Sequence, residues 1–257
     1  MSPSAATPAS GEGWPEPFTV SWRRETGSTN ADLVTLAREG ARHGTVMVAD
    51  HQTAGRGRLG RTWQAPPESA LLCSILLRPP PGAMLHAALW TVALAAQRAV
   101  TEESGIDPEL KWPNDLMIGS RKLAGILAET VGGTPDGAVV VGLGINVAWE
   151  DPPADVADRA VTLAELAGRA VDRRELLRQL LASLAPLLTV WADRPSELHA
   201  LYRARLSTLG QRVRVTLADR ELEGEALDVT AQGSLIVRGD GETVEVSAGD
   251  VVHLRPA

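Results

Sequence analysis

The spacing of apolar and polar positions changes several times along the chain, and each change predicts an element. Ser28, Thr29 and Asn30 offer capping side chains just before Leu33, Leu36 and Ala37, whose helical spacing predicts a short helix closed by Gly40. Continuous apolar runs at 45–49 and 70–77 predict strands, with a Gly- and Arg-rich loop and Pro66-Pro67 between them. The longest apolar run, 83–100, is interrupted by His86, Gln97 and Arg98, so it predicts a buried helix over about 84–103 and not a membrane span. Short extended segments surround 111–115, and apolar runs at 123–129 and 138–147 follow. Residues 161–207 return to helical spacing through Leu163, Leu166, Leu176, Leu177, Leu180 and Leu181.

From about Gly210 the period falls to two. Val213, Val215 and Leu217 alternate with polar residues, as do Leu235 with Val237 and Val244 with Val246, around turn signals at 218–220 and 239–241. A unit of roughly 45 residues with this pattern predicts a small barrel, too small to stand alone and so packed on the larger body. Strands, then helices, then strands again predict an α+β protein and not a regular βαβ array. The expected division is a disordered Pro- and Gly-rich tail over 1–16, a main domain over 17–207 and the C-terminal barrel over 208–257. The tail has neither the basic start nor the apolar stretch of a signal peptide.

Composition narrows the chemistry. The 257 residues carry a net charge of −7, which argues against a general electrostatic affinity for nucleic acid. Cys73 is the single cysteine, which excludes an intrachain disulfide and any zinc site built on clustered cysteines; a reducing compartment fits. Only two of the 25 basic residues are lysine, Lys111 and Lys122. Codon bias explains the general excess of arginine, and the retained lysines point to positions that arginine cannot serve.

Four segments carry candidate chemistry. In the stretch from Gln52 to Trp63, Gly55, Gly57 and Gly60 match G-x-G-x-x-G literally, but no helix follows and Pro66-Pro67 does, so the dinucleotide reading fails. What is left is a glycine loop with Arg56, Arg58 and Arg61 and no acid. It reads as an anion-binding loop for a small ligand, with a solvated loop or a DNA contact as the alternatives. In Lys111-Trp112-Pro113-Asn114-Asp115 the proline holds Trp112 extended, so a cation, an aromatic face and a carboxylate cluster at a turn; a plain hairpin with an exposed Trp would read the same. Lys122 opens an apolar strand where its ammonium can reach a pocket mouth. Gly142 and Gly144, two glycines in one strand before Asn146, mark close approach of a backbone or a flat ring.

Together and in this order, Ser28-Thr29-Asn30, Gln52–Arg61, Lys111–Asp115, Lys122–Gly125 and Gly142–Asn146 closely resemble the biotin protein ligases over about residues 20–257. The resemblance implies a mixed-sheet catalytic domain of the class II aminoacyl-tRNA synthetase and biotin–lipoate ligase type, with an SH3-like C-terminal barrel. It implies activation of biotin by ATP, with magnesium, to biotinoyl-5′-AMP, and transfer to a lysine of a biotin carboxyl carrier domain of acyl-CoA carboxylases. Biotin would meet Ser28, Thr29, Asn30, Gln52, Gly55, Arg56, Gly57, Arg58, Lys122 and Gly125. The adenylate would meet Arg58, Trp63, Lys111, Asn114, Lys122 and Asn146, with Trp63 either stacked on adenine or packing the loop end. Arg56, Arg58 and Lys122 would be catalytic. Asp115 would accept the acceptor lysine's proton or cap a turn. No protein-held metal is expected. A cytoplasmic monomer or homodimer without DNA or membrane is implied; the alternatives are a lipoate or octanoate ligase and, outside enzymes, a biotin-responsive repressor.

Overall fold

The structure, a computed structural model, describes residues 13–79, 83–132, 137–149, 156–217, 220–239, 241–247 and 249–254. Most of the expected tail and the turn positions 218–219 and 240 lie outside these residues. A seven-stranded mixed sheet forms the body. In chain order its strands are β1 (Thr19–Thr26), β2 (Thr45–Gln52), β3 (Ala70–Leu77), β4 (Glu109–Lys111), β5 (Asp115–Ile118), β6 (Arg121–Thr130) and β7 (Val139–Asn146). Across the sheet they run β1-β2-β3-β7-β6-β5-β4; β1 and β2 are parallel and the other pairs antiparallel. The parallel pair follows from the helix α1 (Thr29–Arg38) that crosses between β1 and β2.

The two faces of the sheet differ. Val46, Val48, Leu71, Cys73, Ile75, Val141, Leu143 and Ile145 point into the main core with α2 (Ala87–Ser104) and α4 (Arg173–Asp193). Alternate residues Met47, Leu76 and Val140 meet Leu33 and Ala37 of α1 on the other face. Because both faces of β3 are covered, all eight of its residues are buried, which explains its unbroken apolar run. A short α3 (Leu163–Ala167) and α5 (Pro195–Ala204) complete the helices, each starting where the sequence supplies a cap or proline: Thr162 at α3, Asp172 at α4 and Pro195 at α5.

The C-terminal strands β8 (Arg212–Thr216), β9 (Glu221–Val229), β10 (Leu235–Arg238), β11 (Thr243–Val246) and β12 (Asp250–His253) form one antiparallel sheet ordered β11-β10-β9-β8-β12. Among the described residues no ladder joins β11 to β12. Its apolar side is continuous with the main core through Val213, Val215, Ala226 and Leu235. His86 Nε2 and His199 Nε2 also lie 2.9 and 3.0 Å from the Ala231 and Val229 carbonyls. Three strands escaped the sequence pattern. β1 and β9 are rich in charged residues because they are an edge strand and a strand with one open face, and β12 is only four residues long.

Candidate active site

On the α1 side of the sheet, α1 covers only one end. The rest of that face is formed by Leu72 and Ser74 of β3, Gly125 and Leu127 of β6, and Gly142 and Gly144 of β7. Over it folds the loop 52–63, and the space enclosed is a cavity of about 480 Å³. Its lining includes Ser28, Thr29, Asn30, Gln52, Arg56, Gly57, Arg58, Trp63, Lys111, Asn114, Asp115, Lys122 and Gly125. Gly55 and Asn146 are not in that lining.

One end is uncharged and tightly hydrogen-bonded. The Thr29 backbone N–H and hydroxyl both donate to Gln52 Oε1, at 2.8 and 3.0 Å. A backbone N–H can only donate, so Gln52 must present its oxygen there, leaving its amino group as the free donor. Asn30 donates to the Leu127 carbonyl and to Glu129 Oε2, at 3.3 and 2.7 Å, while Ser74 Oγ sits 2.5 Å from its Oδ1. Both of its amide donors are therefore spent inside the protein. A β-carbon on Gly142 would come within 2.2 Å of Asn30 Oδ1, so that glycine is the price of the asparagine's position.

The other end is cationic. The loop closes as a hairpin, with a backbone bridge between Arg56 and Thr62 and the Trp63 N–H donating to the Gly55 carbonyl at 3.0 Å. A β-carbon on Gly55 would lie 2.4 Å from the Trp63 carbonyl, so Gly55 serves the loop's closure from outside the cavity lining. The loop tip bends at Leu59, which is 65% exposed and has φ of +55°. Arg56 pairs with Glu129 at 3.0 Å. Arg58 donates weakly to Asn114 Oδ1 and the Gly249 carbonyl, at 3.3 and 3.4 Å. Asn114 in turn donates to the Ile126 carbonyl at 2.7 Å. Lys122 Nζ lies 2.6 Å from Asp115 Oδ1. Asp115 is the one carboxylate among the cavity-lining residues. Burial lowers the pKa of both Arg58 and Lys111, and nearby Asp115 opposes that shift in each. Burial also pushes the thiol of Cys73, which points into the core on the far side of β3, up to about 12, which leaves it an unreactive packing group.

The flat ring expected against the strand glycines is Trp63. Added β-carbons at Gly144 and Gly125 would fall 2.6 and 2.9 Å from its indole, and Lys122 Nζ stands 5.6 Å from the ring centroid. Trp63 Nε1 is buried without a partner. Asn146 is buried behind the floor, its amide donating to the Lys122 and Val161 carbonyls at 3.2 and 3.3 Å while its Oδ1 has no partner.

Trp112 corrects one sequence alternative. It is 2% exposed, and the hairpin that bears it is clamped from the C-terminal side. The Trp112 N–H donates to Thr208 Oγ1 at 2.9 Å, its indole N–H to the Gly233 carbonyl at 2.9 Å, and Tyr202 Oη to the Pro113 carbonyl at 3.3 Å. Its peptide bond to Pro113 is cis. Sequence reasoning missed Glu129, Ser74 and Thr208, which act on other protein groups and sit in otherwise ordinary strands and turns.

Comparison with known proteins identifies the family. Residues 24–146 match the biotin/lipoate A/B protein ligase family, and 208–254 match the biotin protein ligase C-terminal domain. The chain is 41% identical to the biotin–[acetyl-CoA-carboxylase] ligase of Mycobacterium tuberculosis, over 95% of this chain and 91% of that one. It is 33% identical to the bifunctional ligase/repressor BirA of Salmonella typhimurium, over 90% of this chain and 72% of that one. A biotin protein ligase from Aquifex aeolicus, solved in complex with biotin and ATP, superposes with a TM-score of 0.78 at 30% identity, covering 92% of this chain and 99% of that one. With a relative 41% identical over nearly the whole chain and both family models matched, the chain belongs to the biotin protein ligases.

Proposed function

We propose that this protein activates biotin with ATP and transfers it to a lysine of a biotin carboxyl carrier domain. The observation that carries the reading is the union, in one cavity, of a neutral hydrogen-bonding end and a cationic end. Biotin's ureido ring is uncharged and rich in hydrogen-bonding atoms, which suits Ser28, Thr29 and the free amino group of Gln52, with Gly125 at the edge where Trp63 and Lys122 pack. Its carboxylate then points to Arg56, Arg58 and Lys122.

In the first step a carboxylate oxygen attacks the α-phosphorus of ATP; a new O–P bond forms and the bond to pyrophosphate breaks. Both reactants are anions, so preorganised cations lower the barrier by neutralising charge where it develops. Arg56-Gly57-Arg58 covers the junction and Lys122 contacts it. Lys111, Asn114 and Arg58 face the phosphates. Adenine lies against Trp63, and Asn146, buried outside the lining, supports the wall beside it through its bonds to the Lys122 and Val161 carbonyls. A single lining carboxylate cannot hold magnesium by itself, and the site fits an ion carried in on the triphosphate oxygens. Such an ion would supply charge neutralisation to the departing pyrophosphate.

In the second step the acceptor amine attacks the acyl carbon and AMP leaves. A free lysine with pKa ~10.4 is neutral only about one part in a thousand near pH 7.5, so a group that accepts or orients its proton helps. We assign that role to Asp115, whose ion pair with Lys122 at 2.6 Å also gives it a second one, orienting Lys122. By the same reading the enzyme works in the cytoplasm beside its carboxylase, as monomer or homodimer, without DNA or membrane. No described helix is long and apolar enough to cross a membrane. Incubation with biotin, ATP, magnesium and a carrier domain tests the transfer. One biotinoyl group per carrier, lost when the acceptor lysine is changed to arginine, is expected; an unmodified carrier beside a consumed ATP pool contradicts it.

A further inference from the structure

Glu129 lies on the site face of β6 at the cavity's edge, and no role above uses it. Its Oε2 accepts from two sides, Asn30 Nδ2 at 2.7 Å and Arg56 Nη2 at 3.0 Å. Asn30 cannot drift, because its amide is also bound to the Leu127 carbonyl, its oxygen to Ser74, and Gly142 leaves it no spare room. Glu129 is therefore anchored to the rigid floor at the start of α1, and Arg56 hangs from that anchor. The hairpin of the loop fixes the Arg56 backbone, but its side chain is 45% exposed, and Glu129 is the acceptor that sets its direction among the described contacts.

Arg58 is held differently. Its acceptors are a neutral amide and a carbonyl at longer distances, and the nearby Asp115 carboxylate is bonded to Lys122 and not to it. Of the three loop arginines, Arg56 and Arg58 are thus divided: Arg58 is held by longer bonds to neutral groups, and Arg56 is positioned by a carboxylate.

We propose that Glu129 is a positioning residue that acts through Arg56, linking the floor that holds the biotin ring to the loop that covers its carboxylate. One guanidinium nitrogen is engaged by Glu129 and the remaining donors are aimed at the ligand. The proposal rests on Arg56 meeting the biotin carboxylate, as argued above. Without the anchor, Arg56 samples many rotamers, and the ordering cost falls on ligand binding.

The test is a double-mutant cycle on the full chain, read as the biotin dissociation constant by calorimetry, with cooperative thermal unfolding as the folding control. Glu129→Gln keeps an acceptor for Asn30 and removes the charge; it is expected to weaken biotin about tenfold. In an Arg56→Met background the same change is expected to have no further effect. Glu129→Asp, which retains the charge one methylene short of Arg56, is expected to fall between, and it decides the matter should Glu129→Gln not fold. Wild-type affinity in the folded Glu129 variants overturns the proposal. So does an equal loss in both backgrounds, which would mean that Glu129 serves Asn30 alone. Wild-type affinity in Arg56→Met would instead overturn the reading of Arg56 on which the proposal rests.

Discussion

Lys122 shows most directly why residue type matters here. Its ammonium sits 2.6 Å from Asp115 and 3.0 Å from where a β-carbon on Gly125 would be, beneath the Trp63 ring. A point charge fits that space, whereas a planar guanidinium is broader and forks its donors. Lys122→Arg should therefore lower biotin-dependent pyrophosphate release about 10²-fold, the usual scale for losing one preorganised charge contact. Activity near wild type would reduce the scarcity of lysine to codon bias. Asp115→Asn separates the two half-reactions. If the carboxylate handles the acceptor proton, transfer to the carrier should slow far more than adenylate formation in single-turnover assays. Equal loss of both would leave Asp115 only its pairing with Lys122. Lys122, Gly142 and Gly144 stood out in the sequence because charged and glycine positions in an apolar strand are conspicuous, whereas the roles of Ser28, Thr29, Asn30 and Gln52 came from the family resemblance. Glu129 was not, because a glutamate near a strand end looks like ordinary surface until the fold brings Asn30 and Arg56 to it.

At the scale of elements, β7 is the stiffest part of the site. It is paired on both sides, and its two glycines face the cavity floor. Gly144→Ala would place a methyl group 2.6 Å from the Trp63 indole, and neither a central strand nor a ring packed against it yields easily. The expected result is a cost of about 1–3 kcal/mol in unfolding free energy from overpacking, together with weaker ATP binding as Trp63 is displaced. Trp63 fluorescence in a variant lacking the other tryptophans' contribution would report the shift. Thr208→Val addresses the Trp112 hairpin. It leaves the buried Trp112 N–H without its acceptor, a loss of about 1–3 kcal/mol by chemical denaturation. Regular apolar periods made β2, β3, β6, β7 and the long helices readable from sequence. The hairpin's burial was not readable, since its partners Thr208, Tyr202 and Gly233 lie far along the chain.

The whole molecule joins its two sheets through the site. The Gly249 carbonyl accepts from Arg58, and Val251 and Val252 line the cavity, so the C-terminal strands are part of its wall. Two half-buried histidines have lowered pKa values, His253 on β12 beside this wall and His43 in the body beside Arg78. Burial lowers the pKa of His43, and burial followed by the nearby Lys111 charge lowers that of His253, both from 6.5. A folded pKa below the unfolded one means that the folded state binds fewer protons at intermediate pH. This penalty is absent above about pH 6.5 and grows as pH falls from there through the lowered folded values. Thermal stability should accordingly decline on acidification below about pH 6.5, and His253→Gln should flatten part of that slope; a pH-independent melting temperature from 7.5 to 5.5 would contradict it.

The central claim is that the neutral and cationic ends of one cavity activate biotin. Pyrophosphate release from the purified protein with ATP and magnesium, adding biotin or lipoate in turn, tests it most directly. The account predicts release that requires biotin, remains at background with lipoate, and is limited to about one equivalent per enzyme until a carrier domain is supplied. Release driven by lipoate, or none with either acid, would contradict it.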